Sequence, residues 1–179
     1  VCTLIIIKCI FFRMKIKSLV LQLIVISILT TNSFAENDRS GLKFYTGMFD
    51  FSDDGAKSQL FGIQHQNSNL YRDTFLGEMS PITGAMITAD NAVYLYSGIE
   101  TNYSIGLINI TPSFTPGYYN QGDGKDLGHG LEFKSEVQLS MDLGETTNFG
   151  MSYNHVSNAS LGDKNPGANS YSFNFLKKF

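Results

Sequence analysis

The sequence predicts an all-β protein in which eight antiparallel strands close into a barrel that crosses a membrane. Three observations carry that prediction. From Gly41 onward no stretch of helical period is long enough to form a helix; segments of ten to fifteen residues rich in Phe, Tyr, Ile, Val and Thr alternate instead with short turn strings. The stretch 131–143 places Leu131, Phe133, Val137, Leu139, Met141 and Leu143 on one face, with Ser135 the only polar interruption. Glu132, Lys134, Glu136, Gln138, Ser140 and Asp142 fall on the other. Finally, Tyr171, Phe173, Phe175 and Phe179 share one parity up to the last residue. A long aromatic strand of that kind invites aggregation unless its edge is paired.

The chain opens with a segment that reads as a targeting signal. Met14-Lys15-Ile16-Lys17 is a basic start, Leu19 to Leu29 an apolar core, and Ser33-Phe34-Ala35 a small-x-small cleavage string. Residues 1–35 are therefore expected to be a signal peptide, with Met14 the natural start and residues 1–13 an upstream extension. The barrel domain is expected over residues 36–179. Both cysteines, Cys2 and Cys9, fall in the prefix, so a disulfide framework is not expected to hold the domain. Residues 36–179 carry nine basic and 16 acidic side chains, a formal charge of −7. That balance leaves no basic patch for nucleic acid.

The strands are expected at 42–53, 57–67, 73–87, 91–101, 104–118, 129–143, 146–157 and 168–179. They are separated by signals such as Asp53-Asp54-Gly55, Ala89-Asp90-Asn91, Thr101-Asn102 and Leu143-Gly144-Glu145. Alternation alone does not say where the lipid lies, because a soluble sheet shows the same pattern with its oily face inward. Length argues for a membrane: strands of this size exceed the usual roughly five or six residues and meet the roughly 9 to 11 that a tilted transmembrane strand needs. The alternating aromatics that end on Phe179 also resemble the sorting signal of bacterial outer-membrane barrels. Eight is the smallest strand number of that class, and such a barrel is filled by side chains rather than open as a pore.

With both barrel ends on the periplasmic side, the seventh strand runs outward and finishes at the outer rim. Phe149, Met151, Tyr153, His155 and Ser157 share its lipid-facing side, and Asn169 shares the parity of Tyr171 and Phe173 on the next strand. Residues two apart on a strand are separated by roughly 6.5 Å, a gap that leaning side chains can close to a hydrogen bond. A histidine beside a serine is the pairing that activates a hydroxyl nucleophile.

The string His155-Val156-Ser157-Asn158-Ala159, followed by Asn165-Pro166-Gly167 and a last strand ending on Phe179, resembles the lipid A 3-O-deacylases of the PagL type. Pro116-Gly117-Tyr118-Tyr119, Asp126-Leu127-Gly128 and Leu131-Glu132-Phe133 are similar to the same family. The resemblance implies an eight-stranded outer-membrane barrel that hydrolyses an ester-linked acyl chain of lipid A in the outer leaflet. It implies Ser157 as nucleophile, His155 as general base, and Asn158 and Asn165 as residues that position the site or stabilise the oxyanion. Asn169 stands where the characterised enzymes carry a glutamate. An amide can orient an imidazole but brings no charge, so Asp163, in the same loop, is expected to supply it.

No metal or other cofactor is expected, because His65, His129 and His155 fall on different strands without ligand spacing. A homodimer is compatible with these strings, which do not decide it. Two further readings stay open at this point: a non-catalytic barrel of the same family with a structural or interaction role, and a soluble lipid-binding barrel whose oily face points inward.

Overall fold

The computed structural model describes residues 40–179. The expected signal peptide and the start at Met14 fall on residues outside this range. The long strands are β1 (Ser40–Phe49), β2 (Ser58–Asn67), β4 (Gly77–Thr88), β5 (Val93–Thr101), β7 (Ile108–Asn120), β8 (Leu131–Asp142), β9 (Thr147–Ser157) and β10 (Ala168–Lys178). Two three-residue strands, β3 (Arg72–Thr74) and β6 (Tyr103–Ile105), pair with the first residues of β4 and β7.

Neighbouring long strands run antiparallel in the order β2-β1-β10-β9-β8-β7-β5-β4, and β2 pairs in turn with β4. The sheet is thus closed, and its eight staves have no free edge. One seam joins the first stave to the last: β1 pairs with β10 from Gly41↔Lys178 to Met48↔Tyr171.

The faces of the barrel follow the alternation. Leu139, Met151 and Phe173, near mid-height on three successive staves, are each about half exposed at 48%, 50% and 50%. Their neighbours Gln138, Ser152 and Ser172 are buried. The oily face points outward, which removes the soluble barrel with an inward oily face.

Inside, a central cluster of polar groups is joined by hydrogen bonds and ion pairs. Lys43 Nζ donates to Glu136 Oε1 at 3.3 Å and to Gln138 Oε1 at 3.2 Å, and Lys134 Nζ reaches Glu136 Oε2 at 3.2 Å. Gln64 Nε2 donates to Glu100 Oε2 at 3.0 Å, and the Tyr96 hydroxyl donates to Gln64 Oε1 at 3.1 Å. The Lys134 ammonium also lies 4.3 Å from the centre of the Tyr96 ring. Gly62 makes room for this layer, because a Cβ there would stand 2.0 Å from Cζ of Tyr45. Pairing of this kind offsets the cost of burying these charges.

The expected strands differ from the observed ones at three places. The stretch expected as one strand over 73–87 is a tight hairpin followed by β4: Phe75 and Leu76 form the turn, and Gly77 takes a φ of +97°. The stretch 104–118 is likewise interrupted at Gly106, with φ +64°, before β7 begins at Ile108. The first strand stops at Phe49 rather than 53, because Asp50 turns the chain with a φ of +48°. That last difference shapes the site.

Candidate functional site at the barrel rim

The site forms where β9 ends, β10 begins, and the segment after β1 folds over both. The register pairs Asn169 directly with His155 and Tyr171 with Tyr153. Directly opposed residues on one face of an antiparallel pair bring their side chains within reach. His155 Nδ1 and Asn169 Oδ1 are 2.8 Å apart, and the Tyr153 hydroxyl donates to the same Asn169 oxygen at 2.9 Å. An amide oxygen only accepts, so the imidazole carries its proton on Nδ1 and leaves Nε2 as a base.

Ser157 follows two residues later on the same face of β9, half-buried at the strand end. Its hydroxyl is not hydrogen-bonded to the ring in this arrangement. The structure therefore brings His155 and Asn169 together and leaves Ser157 adjacent. Gly167, just before β10, closes over the imidazole: its φ is +62°, and a Cβ there would lie 2.8 Å from His155 Cε1. Only glycine takes this conformation without cost at such a distance.

Three consecutive residues after β1 grip Asn169. Its backbone N–H donates to Asp50 Oδ1 at 3.2 Å, its carbonyl accepts from Phe51 N at 2.9 Å, and its Nδ2 donates to Ser52 Oγ at 3.1 Å. Ser52 Oγ in turn donates to Asp50 Oδ1 at 3.4 Å. The other carboxylate oxygen of Asp50 pairs with Lys125, which also reaches Asp53 at 3.3 Å. A backbone N–H from Gly55, and then Lys125, hold the Asp53 carboxyl below its ordinary range. Phe51 packs on Tyr171 and Tyr153, with ring centres 5.6 and 6.2 Å away, and so walls the site with aromatic surface. The expectation that Asp163 serves the site does not match this geometry: Asp163 is exposed in its loop, and the carboxylate that reaches Asn169 is Asp50.

Asn158 and Asn165 form a second layer. Asn158 is completely buried and donates through Nδ2 to the carbonyls of Leu127 and Lys164, each at 2.8 Å. Both amide hydrogens are thereby committed to holding the 121–130 segment against the 158–167 segment. Asn165 Oδ1 accepts from the Asn158 backbone N–H at 3.1 Å, which leaves the Asn165 amide hydrogens as donors. An ion pair from Lys164 to Asp126 at 2.6 Å clips the same two segments on the outside. That lysine, and then the Gly128 N–H, depress the Asp126 carboxyl below its ordinary range.

Of the residues singled out in the sequence, the structure places His155, Ser157, Asn158, Asn165 and Asn169 at this rim, and it adds Asp50, Phe51, Ser52 and Tyr153, which the sequence reading did not single out. The signal for Tyr153 was its parity with His155, and that for Asp50 was barrel closure, which sets the end of β1 beside the start of β10. Among the described residues no group of three His, Cys, Asp or Glu side chains stands together as a metal site would require.

Comparison with known proteins agrees with this architecture. Among solved structures the chain is similar to the outer membrane enzyme PagL, with a TM-score of 0.57 and 15% identity, covering 78% of this chain and 99% of that one. It is similar in fold also to Neisserial surface protein A, with a TM-score of 0.50 and 9% identity over 78% and 96% of the two chains. No curated protein sequence matches the chain. A family model described as lipid A 3-O-deacylase (PagL) matches residues 38–178, from ahead of the first stave to the end of the last, and the chain belongs to that family.

Proposed function

We propose that this barrel is an outer-membrane esterase that removes the ester-linked acyl chain at the 3-position of lipid A by a serine-histidine mechanism. The observation that carries the proposal is the 2.8 Å contact between His155 Nδ1 and Asn169 Oδ1 on the lipid-facing side of the rim, with Ser157 next on the same face. A site open to the surrounding lipid meets an acyl chain where that chain already lies.

In the proposed reaction the Ser157 oxygen attacks the ester carbonyl carbon and its proton passes to His155 Nε2. The tetrahedral intermediate collapses with cleavage of the carbon–oxygen bond to the sugar, and His155 returns the proton to the leaving alkoxide. Water then attacks the acyl-serine with His155 again as base. The fatty acid departs and Ser157 regains its hydrogen. The hydrogen bond between Ser157 and His155 forms as substrate settles, since catalytic contacts often tighten only in the bound complex. The Asn165 amide, still free to donate, is the side chain suited to the oxyanion, whereas Asn158 serves to position the loops.

The test is mass spectrometry of lipid A from cells that express the chain or its Ser157→Ala variant at equal outer-membrane abundance. Loss of one hydroxyacyl group only with the intact serine supports the proposal. Identical lipid A from both would favour the reading suggested by an asparagine at position 169, a non-catalytic barrel of the same family.

A further inference from the structure

We propose that Asp50 is the acid of this site, acting on His155 at two removes through Ser52 and Asn169. The proposal rests on the hydrolase reading for its catalytic consequence, but the arrangement itself is visible in the hydrogen bonds. A carboxylate can only accept. Asp50 Oδ1 therefore draws the Ser52 hydroxyl hydrogen toward itself, at 3.4 Å, and turns a lone pair of Ser52 toward Asn169. That lone pair accepts from Asn169 Nδ2 at 3.1 Å, and the amide oxygen consequently faces the ring. An amide oxygen at 2.8 Å from Nδ1 selects the imidazole tautomer protonated there. The polarity of each link is thus set by the previous one, and the chain of links starts at a group that cannot donate.

Turned over, the Asn169 amide would point its hydrogens at His155 and at the Tyr153 hydroxyl. The ring would then be held with its proton on Nε2, where it cannot take one from Ser157. Asp50 and Ser52 thus do for an asparagine what a glutamate at this position would do by itself.

The surroundings suit this role. The Asp50 side chain is 1% exposed. Lys125 approaches Oδ2, so the ion pair leaves Oδ1 to Ser52 and to the Asn169 backbone. Asp53 shares that lysine, Tyr119 of β7 stands near enough to feel the Asp50 charge, and the Ser170 hydroxyl accepts from the Asp50 N–H. Around the imidazole the polar neighbours are Ser135 of β8, paired directly with His155, Tyr153 and Ser157 of β9, and Asn169 of β10. Asp50 and Ser52 are positioning residues: neither touches the ring or an acyl ester.

The test uses the full barrel refolded in detergent micelles, labelled with ¹⁵N-histidine, with the His155 signals assigned by loss in His155→Gln. The Nδ1–H tautomer is expected in the unsubstituted protein. Ser52→Ala, which leaves the Asp50–Lys125 pair intact, should raise the Nε2–H fraction and lower kcat for lipid A by about 10- to 100-fold with KM nearly unchanged, the size of effect seen when an orienting outer partner is lost. Ser52→Thr should restore both, and Asn169→Glu should make activity indifferent to Ser52→Ala. An unchanged tautomer in Ser52→Ala and in Asp50→Asn, with both barrels folded, would overturn the proposal. The tautomer reading decides the relay even if the unsubstituted barrel leaves lipid A intact, an outcome that would instead remove the hydrolase reading.

Discussion

Replacing Asn158 by alanine should loosen the outer end of the barrel far more than its position in a loop suggests. The side chain is completely buried and holds two carbonyls, of Leu127 and Lys164, each at 2.8 Å. Alanine removes both bonds and supplies no donor. The Leu127 carbonyl, beside a buried side chain, is left unsatisfied at a cost of about 1–3 kcal/mol, and loss of the partly exposed Lys164 bond adds about 1 kcal/mol. The amide's own Oδ1, buried without a partner, goes as well and offsets part of this loss, so the expected destabilisation is about 1–3 kcal/mol. It should appear as a lower urea midpoint at unchanged slope in detergent-refolded protein, accompanied by faster hydrogen exchange in 121–130 and 158–167 but not in the lumen-facing network around Glu136. Asn158→Asp, which sets a carboxylate against two carbonyl oxygens, should be at least as damaging. A loss below about 0.5 kcal/mol for Asn158→Ala would refute the view that this amide joins the two loops, because even one exposed hydrogen bond is worth that much.

Further outcomes follow from the same geometry. Gly167→Ala should retain the barrel but lower kcat, since the new methyl would press on His155 Cε1 from 2.8 Å at a φ of +62°; left-handed backbone costs a non-glycine residue about 1–2 kcal/mol, and an unaltered rate would show that the imidazole has room to move. Leu139→Lys, on the lipid face near mid-height, should destabilise the barrel by about 2–4 kcal/mol in bilayers, whereas Gln138→Leu on the lumen side should instead remove one of the two acceptors of Lys43 and leave it Glu136; equal urea midpoints for Leu139→Lys and the unsubstituted protein would contradict the outward oily face. The Asp126 carboxyl, held below its ordinary range by Lys164, contributes to loop order above the ordinary carboxylate range and loses that contribution as pH falls through its depressed folded-state value. The Gly128 amide resonance should report this midpoint below about 3.8, and a midpoint at or above the ordinary value would break the assignment.

Much of the architecture was legible because a closed barrel in lipid imposes one rule at every position. Residues 131–142 show it without exception apart from Ser135, and both the strand and its facing followed. The rule failed where the local chemistry ran against it. Phe75 and Leu76 make a turn from two large apolar residues, so nothing but the following glycine marked the reversal. At the site, His155, Ser157 and Asn169 were readable by parity and by the string around them. Asp50 and Ser52 were not, because they lie 119 and 117 residues from Asn169 and reach it only through the β1–β10 seam. Asp163 was favoured by nearness along the chain, which is a poor guide where neighbours in space come from the first and last staves. Asn158 was singled out from the string around His155, but its burial, which decides that it fastens loops, depends on Leu127 from another hairpin.

The seam has a consequence for timing. Asn169 belongs to the last stave, while the residues that grip it follow the first, so the histidine's setting cannot exist in a nascent, partly inserted or open sheet. The full setting of this rim is complete only once the last stave has met the first, so any activity that depends on it would count finished barrels one by one.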